Sequence, residues 1–223
     1  MFVPITPEMS VAFGTPLSIR TVPGAAALNA GLERAIPARY ERGEANRISN
    51  VGGWQSLPDL LDWPEAEIKI LASEVDRSVQ AISQMPSLVE QRRPNAQTQV
   101  AYRADAWANV NQSGHYNMLH VHPGNHWSVV YYVSVGKPSP ETATNGRIEL
   151  RDPRPAAGFA RMPGFNEGQP MLIQPQAGMM LLFPAWIEHW VHPFHGEGTR
   201  ISIATNVTNE NVNGSSNYFS VTR

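Results

Sequence analysis

The chain has 223 residues, of which 42% are hydrophobic and 16% charged, with a formal net charge of −2 and no cysteine. That is enough apolar material for one domain with a real core and too little charge for a disordered chain. The near-neutral balance, without a run of about five or more like charges, argues against nucleic acid as a partner. The missing cysteines exclude disulfides, zinc–thiolate sites, iron–sulfur clusters and thiol nucleophiles.

The first residues, Met1-Phe2-Val3-Pro4-Ile5-Thr6-Pro7-Glu8, carry neither a basic leader nor an unbroken apolar stretch. No segment approaches the roughly 20 apolar residues that cross a bilayer, so a cytoplasmic chain without membrane association is expected. Residues 11–19 read as a short strand or extended arm. Ala25–Tyr40 reads as a helix weakened by Pro37, and Ser49–Ser56 as a loop that places Trp54. Pro64–Gln84 is the strongest helix. Pro64 suits a first turn, Glu65 and Glu67 suit the positive end of the dipole, and Ile68, Leu71, Val75, Val79 and Ile82 share one face that should pack on a sheet.

From Gln97 the period changes. Residues 97–110 read as a strand pair or one long strand containing Trp107. Shorter runs follow at 127–135, 147–151, 171–174, 179–183, 189–192 and 200–207, separated by Pro or Gly. About eight short strands with tight turns predict a sandwich or jelly roll. The expectation is a single domain over 1–223, mainly β with flanking helices. Residues 1–95 form a helical and extended buttress and 96–223 the metal-binding core. Exposed strand edges would suit a homodimer.

All seven histidines lie between positions 115 and 195. An isolated histidine is usually a surface or hydrogen-bonded core residue, and His115, His126, His192 and His195 are read that way, with His192 an alternate to His189. His120-Val121-His122 differs, because residues two apart in a strand share a face and can bind one ion together. His189, after the strand end and turn at Phe183–Glu188, is the best candidate for a third ligand. Three imidazoles suit iron, zinc, copper or nickel and leave positions open for chemistry. Arg200 and Ser202 share a strand face, and the planar guanidinium with a hydroxyl beside it matches a carboxylate; the plainer reading pairs Arg200 with a surface acid. Trp127, Trp186, Trp190 and Phe194 either wall the pocket or fill the core.

Several segments together resemble the bacterial 2-oxoglutarate–Fe(II) oxygenases. Asn117–Tyr132, with His-x-His-Pro and Trp-Ser-Val-Val-Tyr-Tyr, is similar to that family's first metal motif. Gly146–Pro153 is similar to its next strand. Pro175–Val207 is similar to its closing section, with a Pro-x-x-Gly turn, a strand ending in Phe-Pro, a distal histidine, then Arg-x-Ser and Asn. Ser49–Ser56, with Gly-Gly-Trp, resembles its N-terminal part. The resemblance implies a double-stranded β-helix (a jelly roll, cupin-like) with non-haem Fe(II) at its mouth and 2-oxoglutarate as co-substrate, hydroxylating a small molecule or a side chain with release of succinate and CO2. It implies His120, His122 and His189 as ligands and Arg200 with Ser202 at the co-substrate carboxylate. Tyr132 lies near them, or Tyr131 in its place, and Asn117 and Asn206 line the pocket. The wider superfamily has a carboxylate where His122 stands, so His122 is either a ligand or a neighbour of one, with Glu149 or Asp152 supplying the acid. Two other readings compete: a cupin-type metal-dependent dioxygenase or isomerase, and a non-catalytic metal-binding barrel.

Overall fold

In the computed structural model, residues 2–4, 10–41, 49–83, 100–159 and 169–211 are described. Thirteen strands and two α-helices lie along them, with eight strands following the second helix. The strands are β1 (Phe2–Pro4), β2 (Ser10–Ala12), β3 (Ser18–Thr21), β4 (Asn50–Val51), β5 (Trp54–Gln55), β6 (Ala101–Asn111), β7 (Tyr116–His120), β8 (Trp127–Pro138), β9 (Ile148–Leu150), β10 (Met171–Ile173), β11 (Met179–Pro184), β12 (His189–Val191) and β13 (Gly196–Asn211). The helices are α1 (Ala25–Tyr40) and α2 (Ala66–Ser83). Apart from the small β1–β2 pair, the strands form two antiparallel sheets. The larger has the order β3-β11-β8-β13-β6-β5 and the smaller β10-β9-β12-β7-β4.

The larger sheet is buried on both faces, which explains why its strands read as nearly unbroken apolar runs. Val129, Tyr131 and Val133 of β8, Met180 and Leu182 of β11, and Ile201, Ile203 and Val207 of β13 pack with Leu28, Leu32 and Ile36 of α1 and with the expected stripe of α2, Ile68, Leu71, Val75, Val79 and Ile82. The alternate positions, Tyr132, Leu181 and Phe183, meet Ile148, Leu150 and Val191 of the smaller sheet. This is the jelly roll that the strand pattern and the resemblance predict, with the helices covering its outer side.

α1 keeps the expected limits because Pro37 falls in its last turn, where the missing N–H costs one bond. α2 begins after Pro64 and Glu65, and residue 84 lies outside the described residues. Where a strand pair or one long strand is expected over 97–110, the described part is the single strand Ala101–Asn111; 97–99 lie outside the described residues. The segment expected as a loop at 49–56 has more order. Gly52, at φ 80, turns the chain in the left-handed region. β4 therefore pairs with β7 of one sheet and β5 with β6 of the other. No helix among the described residues is long and apolar enough to cross a membrane.

Leu71 is fully buried beneath α2, whereas its neighbour Ile70 is 50% exposed. Leu71→Ala should lower the unfolding free energy by about 2–5 kcal/mol in chemical denaturation. Ile70→Ala should change it by no more than about 0.5 kcal/mol.

Candidate metal centre

The site begins with an irregularity in β7. Against β12, His120 stands opposite His189 and Asn117 opposite Val191, so three steps on β7 match two on β12. Strict alternation would send residues 117 and 120 to opposite faces. The extra residue turns both into the cavity between the sheets. His122 lies beyond the strand end. Its backbone N–H donates to the Ala185 carbonyl at 2.9 Å, and its own carbonyl closes a turn onto Asn125 N–H at 3.3 Å. The two histidines therefore converge by a strand end and a turn, not by the shared strand face that their spacing predicts.

Candidate ligand atoms of His120, His122 and His189 all lie within 4.8 Å of one another. The Nε2 atoms of His122 and His189 are 3.2 Å apart, close to the ~3 Å expected of two adjacent ligands on one ion with bonds of about 2.1 Å. The Nδ1 atoms of His120 and His189 sit 2.6 Å from the Met118 carbonyl and 2.8 Å from the Ile187 carbonyl. A carbonyl only accepts, so each Nδ1 carries the proton and each Nε2 presents a lone pair. The Asn206 amide adjoins the His122 ring. Phe183 meets His189 edge-on with ring centroids 4.9 Å apart, and Trp107 lies 5.9 Å from the His122 ring.

Burial pushes the pKa of all three imidazoles down. For His120 the Met118 bond offsets part of the effect. His122 falls to about 4, through burial first and the His120 charge second, and His189 to about 3 for the same two leading reasons. All three are neutral at neutral pH, the form that binds a metal.

Neither candidate carboxylate joins them. Glu149 accepts from His192 Nε2 at 2.9 Å and pairs with Arg151 at 3.6 Å, which also engages His192 away from the triad. Asp152 is exposed and paired with Arg154 at 2.6 Å. His115 and His126 use Nδ1 to accept backbone N–H groups of Gln112 and Asn209.

Arg200 is 2% exposed and makes one contact to Ser202 Oγ, at 3.5 Å from Nη1. Its guanidinium lies 5.2 Å from the centre of the Tyr132 ring. The Tyr132 hydroxyl is beside it, yet neither that hydroxyl nor Arg200 Nε completes a hydrogen bond. Among the described residues no carboxylate pairs with Arg200, so the surface-acid reading does not hold, and burial lowers its pKa. Tyr131 faces the helices and donates to Asn29 of α1. Asn117 lines the cavity and donates to Ser49 Oγ at 3.4 Å.

The cavity is walled by Trp107, Val130, Ile148, Val191 and Ala204, and not by the four aromatics suspected from the sequence. Trp186 is 54% exposed and Phe194 is buried at the Gly136 corner. Trp107 and Asn109 line the cavity; the sequence reading placed Trp107 in a strand without a role and singled out neither Asn109 nor the next residue on that face, Asn111. Their signal was present in Ala106-Trp107-Ala108-Asn109-Val110-Asn111, where alternate positions are small and apolar and the others large or polar.

Residues 105–206 match the family model described as "Putative 2OG-Fe(II) oxygenase". That span runs from β6 through most of β13 and includes all three histidines, Arg200 and Ser202. No curated protein matches the chain. Among solved structures, a prolyl-4-hydroxylase from Pseudomonas putida aligns with a TM-score of 0.61 at 17% identity, covering 88% of this chain and 94% of its own. A prolyl hydroxylase from Trichoplax adhaerens, in complex with a hypoxia inducible factor oxygen degradation domain peptide fragment, gives 0.59 at 16%, covering 87% and 84%. HygX from Streptomyces hygroscopicus, with nickel and 2-oxoglutarate bound, gives 0.52 at 14%, covering 88% and 84%. At such identities these likenesses bear on the fold alone; over residues 105–206, a little under half of its length, the chain is similar in sequence to the 2OG-Fe(II) oxygenases.

Proposed function

We propose that the protein is an Fe(II)- and 2-oxoglutarate-dependent dioxygenase in which His120, His122 and His189 hold the metal and Arg200, Ser202 and Tyr132 hold the far carboxylate of the co-substrate. The observation that carries this reading is a buried guanidinium without an acid, on the wall of the same cavity as three neutral imidazoles. A buried cation lacking a counter-charge is costly, and a dicarboxylate that reaches the metal with one end and Arg200 with the other removes that cost. The donor set fits: nitrogen ligands suit iron, and three of them leave coordination positions open. With both groups bound and dioxygen as oxidant, they would supply the oxidative decarboxylation of 2-oxoglutarate to succinate and CO2, one oxygen atom entering succinate and the other the hydroxyl group of the product.

The protein's share is placement and shielding. The carbonyls of Met118 and Ile187 fix two imidazoles in the ligating tautomer. Trp107, Val130 and Ala204 from the sheet that carries Arg200, with Ile148 and Val191 from the other sheet, give the cavity an apolar lining, and drier surroundings strengthen the guanidinium–carboxylate attraction. Asn117 and Ser49 offer neutral polar groups beside the metal. With His122 where the superfamily has a carboxylate, the metal complex is one unit more positive and favours an anionic co-substrate.

Under anaerobic conditions Fe(II) with 2-oxoglutarate should give a weak visible charge-transfer band. His189→Ala should abolish it, and Arg200→Ala should weaken 2-oxoglutarate about a hundredfold, as expected for removing one partner of a buried charge pair. Glu149→Gln should leave the band intact. Succinate release requiring both iron and 2-oxoglutarate supports the reading; a metal-loaded protein that shows neither band nor succinate overturns it.

The depressed histidine pKa values also fix a pH dependence for the metal-free protein. The folded state binds fewer protons than the unfolded one between the unfolded histidine pKa of about 6.5 and the folded values of about 4 and 3 for His122 and His189. Stability is therefore full above about 6.5 and declines as the pH falls through that window. Thermal denaturation at stepped pH should show the decline, and a His122→Leu/His189→Leu variant should flatten it.

A further inference from the structure

Asn111 ends β6 with its side chain fully buried, and neither Oδ1 nor Nδ2 has a hydrogen-bond partner. It stands directly opposite Arg200 in the β6–β13 pairing, so the two side chains share a face. On the neighbouring position Asn109 stands opposite Ser202, which in turn faces Tyr132. Unpartnered polar atoms therefore gather here from several strands: both amide atoms of Asn111, Arg200 Nε, Tyr132 Oη and Asn50 Oδ1. Buried amides in folded proteins nearly always find partners, and an apolar residue would fill this position at less cost.

Gly53 shows that the chain makes room for this amide. A Cβ there would lie 2.1 Å from Asn111 Oδ1, 2.7 Å from Asn50 Oδ1 and 2.8 Å from the backbone carbonyl of Val110. Gly53 adjoins β5, on the opposite side of β6 from β13. Oδ1 is thus the amide atom that faces this corner, while Arg200 stands across the ladder on the other side of Asn111.

We propose that Asn111 is a co-substrate-binding residue, its Nδ2 donating to the same carboxylate that Arg200 grips, with Gly53 holding the space that lets the amide adopt this pose. The inference rests on the 2-oxoglutarate reading above. A carboxylate has lone pairs beyond the two that a guanidinium fork engages, and a neutral amide can take one without competing for the cation. An aspartate at 111 would instead neutralise Arg200 and repel the ligand.

The test is anaerobic titration of the Fe(II)-loaded protein with 2-oxoglutarate, read by the charge-transfer band, beside thermal denaturation without co-substrate. Asn111→Leu should raise the Kd for 2-oxoglutarate about tenfold or more, with metal affinity unchanged and the melting temperature no lower. Gly53→Ala should reproduce the weakening by displacing the amide. Asn111→Asp should abolish 2-oxoglutarate binding while the co-substrate-free protein melts higher, its carboxylate now paired with Arg200. If the unaltered protein binds 2-oxoglutarate and Asn111→Leu does so within about twofold, the inference falls while the functional reading stands. If Asn111→Leu does not fold, unimpaired binding by Asn111→Asp overturns it. A protein that binds metal but no 2-oxoglutarate overturns both.

Discussion

The pairing of β7 with β12 is the constraint on which the site depends. A regular antiparallel ladder fixes alternation so strictly that a one-residue slip sends every side chain to the other face. The extra residue in β7 uses that rule locally: Asn117 and His120 both enter the cavity, and His120 sits opposite His189. Once those two imidazoles are opposed, the turn at His122 needs only its anchor on Ala185 to bring the third nitrogen within 3.2 Å of His189 Nε2. The hydrophobic packing of Phe183 against His189 then holds the arrangement from beneath.

The cavity has a one-sided electrostatic character. Its described lining includes Arg200 and no aspartate or glutamate, and a divalent ion on three neutral imidazoles would add two further positive charges. The acids that a sequence reader would consider, Glu149 and Asp152, are bound to His192, Arg151 and Arg154. A positive, low-dielectric cleft concentrates anions before any contact is made. Unsatisfied polar groups in that cleft reduce the stability of the empty protein, a common feature of functional sites whose ligand completes the hydrogen bonding.

Much of this was legible in the sequence, for identifiable reasons. The stripe of α2 was readable because helical periodicity survives whatever it packs against. The strands after residue 120 were readable because Pro and Gly separate them. The grouping of His120, His122 and His189 followed from residue type and order. The route by which His120 and His122 converge was not readable, since an extra residue in a ladder leaves no mark on one strand alone; it exists only in the pairing with β12. The choice between Tyr132 and Tyr131 was obscured for a similar reason, as parity cannot be carried through the turn at Pro123-Gly124. Trp107 was read only as a strand residue and Asn109 was passed over because residues 97–110 read as plain strand, with Asn111 just beyond that run, although their two-residue rhythm separates a helix-facing side of alanines from a side of large and polar groups.

β13 joins the two halves of the site. Near its start it carries Arg200; near its end, Val207 accepts from His126 N–H, Asn209 N–H reaches His126 Nδ1 and Thr208 Oγ1 donates to Asn125 Oδ1, fastening the turn that begins at His122. A slide of this strand by two residues would keep every side chain on its face while carrying the guanidinium about 7 Å along the barrel. The irregularities opposite β8, between Glu197 and Arg200 and between Ile201 and Ser202, penalise such a slide, because shifted ladders would no longer match. The distance from the guanidinium to the three imidazoles is thus a ruler graduated in backbone hydrogen bonds, and under the proposed function the length of diacid that would span them is set by strand alignment as much as by the residues that would touch it.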